Sequence, residues 1–194
     1  LRDGYLPIDN LETTRDGVDY TLTIFGWSQG FSVDHDLIAY AQLKAHRTSA
    51  DHALPRTLAL VTPKGDRKEF PFTANGDDAV AQIALKFPDP KSAHPVDPSE
   101  WDARQEDVAE WWKHHLAAAA RWDTPDKRVN EAWRAWLVYS MLNVDTINGY
   151  LEPHDGAGFY EEMFGYSVSM HTIALDQLGL HDYAAAILAT QIHF

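Results

Sequence analysis

A chain of 194 residues that is 45% hydrophobic and 23% charged has the makeup of a globular protein, one large domain or two small ones, with a real core. Its formal net charge of -13, with no clustered Lys and Arg, excludes a nucleic-acid partner, because tracking phosphates needs a basic face. Cysteine is absent, which excludes disulfides and thiolate metal sites and leaves cytoplasmic, periplasmic and secreted locations equally open.

No apolar run reaches the roughly eighteen residues that a membrane span needs, so a soluble chain with no membrane partner is expected. Leu1-Arg2-Asp3-Gly4 is neither an initiator methionine nor a signal peptide. At the other end, residues 184–194 read as a helix without a Gly, Asn or Pro stop. Both ends are those expected of a fragment of a longer polypeptide.

From Asp16 onward the pattern is strand-like. Val18, Tyr20, Leu22 and Ile24 alternate with Asp19, Thr21 and Thr23, which predicts one face in a core and one toward water. Further strands are predicted over 37–45, 57–61, 69–72 and 80–87, separated by turn clusters such as Thr62-Pro63-Lys64-Gly65-Asp66 and Asn75-Gly76-Asp77-Asp78. This half reads as an antiparallel β-sandwich, and His35, His46 and His52 at its edges read as solvated.

The proline-rich segment 89–98 marks a boundary, since each proline removes an amide donor and restrains the residue before it. Asp97 is a candidate N-cap with Pro98 in the first helical position and Glu100 near the positive helix end. The helix is expected to run to Trp122, with Trp101, Val108, Trp112, Ala119 and Trp122 on one side. Asp123 or Thr124 would cap a second helix, with Pro125 in its first turn. There Val129, Ala132, Trp133, Trp136, Leu137, Ser140, Met141 and Val144 predict a buried face, not an aromatic ligand platform.

Residues 150–166 then read as a loop of carboxylates, aromatics and glycines, and loops on rigid scaffolds are where sites are built. After it, 167–178 is apolar on almost every side, which predicts a fully buried helix in which His171 is a hydrogen-bonded core residue. Gly179 would close it in the left-handed conformation, and His181-Asp182 would open a last, half-buried helix.

A sheet domain, a proline-marked linker helix and then helical hairpins resemble the six-hairpin (α/α)6 toroid glycosidases with an N-terminal β-super-sandwich, the glucoamylase-like and trehalase-like glycoside hydrolases. The likeness rests on the strand pair around Asp36-Leu37-Ile38-Ala39-Tyr40-Ala41-Gln42-Leu43 and Arg56-Thr57-Leu58-Ala59-Leu60-Val61. It rests also on Gly158-Phe159-Tyr160-Glu161-Glu162 followed by the Leu178-Gly179-Leu180-His181-Asp182 turn. The fold class this implies is multidomain β then α: a β-sandwich domain over 1–95, a linker helix over 96–124 and the first, incomplete hairpins of an (α/α)6 toroid over 125–194.

The resemblance implies a carbohydrate-active enzyme, a glycoside hydrolase whose carboxylate acid/base pair lies in later hairpins outside this chain. Its substrate would be an oligosaccharide or glycoside, with no cofactor, and the remainder of the same polypeptide or a second chain would pack on the helical half. The 150–166 loop would hold the sugar: Tyr160, Phe164 and Tyr166 offer stacking surface, Asp155, Glu161 and Glu162 accept from hydroxyls, and His154 or His171 donates. In related enzymes the corresponding loop carries an Arg-Asp pair, whereas here Tyr160-Glu161-Glu162 has no arginine beside it. Glu161 and Glu162 also suit plain capping of the next helix.

A zinc site is disfavoured, because His114, His115, His154, His171 and His181 lack the usual short ligand spacings. Serine-nucleophile and nucleotide-binding motifs are missing. The alternative of a different class is a non-catalytic carbohydrate-binding or assembly module, and a sugar epimerase or polysaccharide lyase is a third reading, since a fold does not fix chemistry.

Overall fold

The computed structural model describes residues 1–154 and 164–193. An antiparallel sheet region comes first and four helices follow it among the described residues. The chain divides into two compact units, Leu1–Arg2 with Pro7–Trp111 and Asp3–Leu6 with Trp112–Phe194.

The first unit is built on a six-stranded antiparallel sheet. Its strands are β1 (Ile8–Arg15), β2 (Val18–Trp27), β3 (Ile38–Arg47), β6 (Thr73–Asn75), β7 (Asp78–Lys86) and the short β8 (His94–Pro95). They run in the order β1-β2-β3-β7-β6, with β8 also on β7. A second layer is only a two-stranded hairpin of β4 (Thr57–Val61) and β5 (Arg67–Pro71).

Register assigns the faces, because residues directly opposite each other point the same way. Val18, Ala45 and Ala79 form one apolar patch with Tyr20, Leu54 and Phe72 around it. Ile83 on the same face packs with Phe70, Ala93, Leu58 and Leu60, so the β4-β5 hairpin covers this side. The opposite face is not simply wet. Ile8, Phe25, Tyr40 and Ala84 stand in register there. The first helix, α1 (Pro98–His115), lays Trp101 on them, its ring centroid 4.9 Å from Phe25 and 6.1 Å from Tyr40. The expectation of one core face and one water face therefore needs correcting, because α1 makes a second core at one end of the sheet.

Asp97 caps α1 as its sequence suggests: its carboxylate accepts from the Ser99 hydroxyl at 2.6 Å and amide at 2.8 Å, bonds that hold the acid below the usual carboxylate range. The helix stops at His115, seven residues short of the predicted Trp122. Leu116 to Ala120 is a strong helix-forming stretch, but the Ala120 amide donates to the Leu178 carbonyl at 2.7 Å, and this tertiary bond overrides propensity.

The second unit holds α2 (Lys127–Leu142), a hairpin of β9 (Val144–Ile147) and β10 (Tyr150–Pro153), α3 (Gly165–Gln177) and α4 (His181–His193). Asp126, not Asp123 or Thr124, caps α2, accepting from the Arg128 amide. Thr124 is already engaged: its amide and hydroxyl both donate to Asn130 Oδ1, at 2.9 and 2.8 Å, and Asn130 donates back.

Two burial expectations fail here. Along α2 only Leu137, Val138 and Ser140 are buried, while Val129 and Trp136 are exposed. Trp133 stacks on Trp136 at 5.6 Å and meets Trp122 in a tilted contact at 4.7 Å, making a partly open row. Helix α3 is buried along one face only, through Val168, Thr172 and Leu175, with Met170 and Ile173 exposed. Both segments are helical as expected, but Val144, placed on the α2 face by its spacing, begins β9, and nothing among the described residues covers the remaining apolar positions. Gly179 ends α3 at φ 86° as expected, and a Cβ there would lie 2.9 Å from the Ala118 carbonyl oxygen.

Candidate functional site

Asn148-Gly149 is the pivot of the site. Both residues have positive φ, 52° and 83°, as a tight hairpin turn demands, and they fold β9 onto β10. Residues 150–153 are consequently a strand, not the start of a loop. The turn fixes register, setting Glu152 opposite Asp145 and Tyr150 opposite Ile147. One residue beyond, the His154 amide donates to the Asn143 carbonyl at 3.0 Å and the Asn143 side chain donates back to the His154 carbonyl, extending the ladder.

Asp145, Glu152 and His154 thus project from one face of the hairpin, since opposed residues and alternate positions along a strand share a face. Two carboxylates directly opposite each other weaken a hairpin by mutual repulsion, so this pair is a cost to the fold. His154 is the unusual member. Its side chain is only 7% exposed, and its Nε2 lies 3.4 Å from Asp145 Oδ2. Neither ring nitrogen makes a hydrogen bond, so the ion-pair contact is close enough for attraction to a protonated imidazole but not aligned for donation. An imidazole buried without partners is destabilising unless something else supplies them.

The predicted site residues fall in different places. His154 belongs to the cluster just described. Asp155, Tyr160, Glu161 and Glu162 lie outside the described residues. Phe164 is the N-cap residue of α3, in extended conformation and without a side-chain capping bond. Tyr166, in the first turn of α3, is 80% exposed. His171 also departs from expectation: its buried Nε2 has no hydrogen-bond partner, and burial pushes its pKa below the ordinary histidine value.

Asp145 and Glu152 were missed as site residues. The signal was present in Asn148-Gly149 flanked by apolar-polar alternation, the strongest short hairpin pattern, but the helical spacing that runs on to Val144 masked it. Among the described residues, no group of three or more His, Asp or Glu could hold a metal ion, and no helix is long and apolar enough to cross a membrane. Chemically, two acceptor carboxylates and an imidazole without a hydrogen bond offer hydrogen bonds to a ligand rich in hydroxyls. In comparisons with known proteins, no family model, no curated protein and no solved structure matches the chain.

Proposed function

We propose that this chain is the sheet domain and first helical hairpins of a carbohydrate-active enzyme, a glycoside hydrolase of the six-hairpin toroid type with a super-sandwich before it. The observation that carries this reading is the hairpin cluster, in which opposed Asp145 and Glu152 stand beside the buried His154, whose ring nitrogens make no hydrogen bond. Such a cluster, costly to the fold, is suited to binding sugar hydroxyls, each of which both donates and accepts. The β-then-α order and the α3-α4 hairpin closed at Gly179 support the architectural part. In this reading the acid/base pair that cleaves the glycosidic bond comes from further hairpins, and the residues named here hold the sugar.

The test is a screen of chromogenic nitrophenyl glycosides with the complete product of the gene. Hydrolysis of at least one glycoside supports the proposal; failure across α- and β-linked hexosides and pentosides contradicts it.

The second reading, a non-catalytic carbohydrate-binding or assembly module, draws on the exposed Ile173, Leu188 and Ile192 of α3 and α4. Apolar patches of this kind serve as contact surfaces. A gene product that binds oligosaccharides but releases no nitrophenol favours it.

A further inference from the structure

The hairpin cluster lacks positive charge. Asp145 and Glu152 stand directly opposite each other, and the repulsion this creates is relieved by a cation placed between them. Among the described residues the only ion-pair partner of Asp145 is His154, and Glu152 has none. The sequence explains the deficit. Residues 135–194 contain seven Asp and Glu and not one Lys or Arg, so neither the hairpin nor the two helices after it carry a basic side chain to neutralise the pair. A protonated His154 could offset one carboxylate, not both.

An acidic pair by itself marks nothing, because exposed carboxylates are ordinarily solvated. His154 sets this pair apart. Its side chain is only 7% exposed, neither buried ring nitrogen makes a hydrogen bond, and Nε2 lies 3.4 Å from Asp145 Oδ2. A donor group seated on that carboxylate comes within reach of the ring nitrogen as well, and it relieves the cost of an imidazole buried without hydrogen bonds. An ammonium group meets both needs: it is positive, and it carries three donors and no acceptor, against two carboxylates and the one acceptor nitrogen of a neutral imidazole. Resting on the sugar-holding role proposed above, we infer that the hairpin cluster selects an amino sugar, a sugar residue with a free, protonated amine, over its neutral counterpart.

Other ligands fit this chemistry less well. No group of three or more His, Asp or Glu among the described residues could hold a metal ion, and calcium takes about six to eight oxygens where this hairpin offers two carboxylates. Anionic sugars are repelled by the same pair. The net charge of -13 acts in the same direction, since a negative field draws cations toward the surface.

The experiment is isothermal titration calorimetry of the complete gene product and of its Glu152→Gln and Asp145→Asn variants, in mildly acidic buffer that keeps the sugar amine protonated. The titrants are the glucosamine trisaccharide, its N-acetylated counterpart, cellotriose, ethylamine and calcium chloride. We expect the free-amine trisaccharide to bind about tenfold tighter than the acetylated one, because hydrogen bonds to charged groups are the stronger ones. Added salt should shrink this preference, and either substitution should abolish it. Both substitutions keep the side-chain shape and remove a repulsion, so an unfolding midpoint that does not fall shows that the lost preference is not lost structure. Equal affinity for the two trisaccharides, or a preference that survives both substitutions, overturns the inference and leaves the sugar-holding reading standing. Binding of ethylamine or calcium with no sugar bound, or no binding at all, overturns both.

Discussion

The two units handle their apolar residues differently. In the sheet unit, Ile83 and Ala79 meet the β4-β5 hairpin or its flanks on one face, and Phe25 and Tyr40 meet Trp101 on the other. In the helical unit, Leu175 and Ile187 are fully buried, but Ile173, Leu188 and Ile192 on the same two helices are not. Apolar periodicity therefore predicts which positions can be buried, whereas a partner decides which ones are. Residues of equal hydrophobicity carry unequal weight for stability and for association, and substitutions separate the two.

The largest effect is expected from Trp101→Ala. Trp101 is 2% exposed and packs on two aromatic rings, so its truncation should cost about 3–5 kcal/mol, read as a lower urea midpoint. A cost under about 1 kcal/mol would show that α1 does not anchor the sheet core. Gly179→Ala comes next. An L side chain at φ 86° costs about 1–2 kcal/mol from the backbone alone, and the approach to the Ala118 carbonyl adds to it. Thermal unfolding should register the loss; an unchanged midpoint would mean that the α3-α4 turn relaxes freely.

Alkaline pH probes the sheet unit's second core. Tyr40 donates to Glu100 at 3.0 Å, and burial first, then that carboxylate, pushes its pKa up to about 12. The folded state keeps this proton where the unfolded chain, with an ordinary tyrosine near pH 10, has lost it. Its contribution is full below pH 10 and disappears as pH rises toward about 12. Ultraviolet titration should show late phenol ionisation, moved earlier by Glu100→Gln but not to the ordinary value, because burial remains. The smallest stability change is expected from Ile192→Ser, a residue 79% exposed, within about 0.5 kcal/mol. A large loss of stability in urea unfolding would place Ile192 in a core after all.

Much of the sheet was legible because its strands carry their own evidence. Alternation marked β2, and β4 runs from Thr57 to Val61 as its sequence reads. The Asp97-Pro98 helix start was equally local. What failed was non-local. The end of α1 depends on a hydrogen bond from Ala120 to Leu178, and the open Trp122-Trp133-Trp136 row depends on what lies against it. Of the candidate site, His154 was legible as a polar residue but its burial was not. Asp145 gains meaning only once register sets it opposite Glu152.

The sharpest test of the sugar-holding role is the kcat/KM of the complete gene product and its Glu152→Gln variant on a glycoside it cleaves, with unfolding followed alongside. Loss of a hydrogen bond to a charged group is worth about 1.5–3 kcal/mol, so a fall of roughly 10- to 100-fold at unchanged stability is the expected result. An unchanged kcat/KM would contradict the account, because the hairpin carboxylates would then touch no substrate.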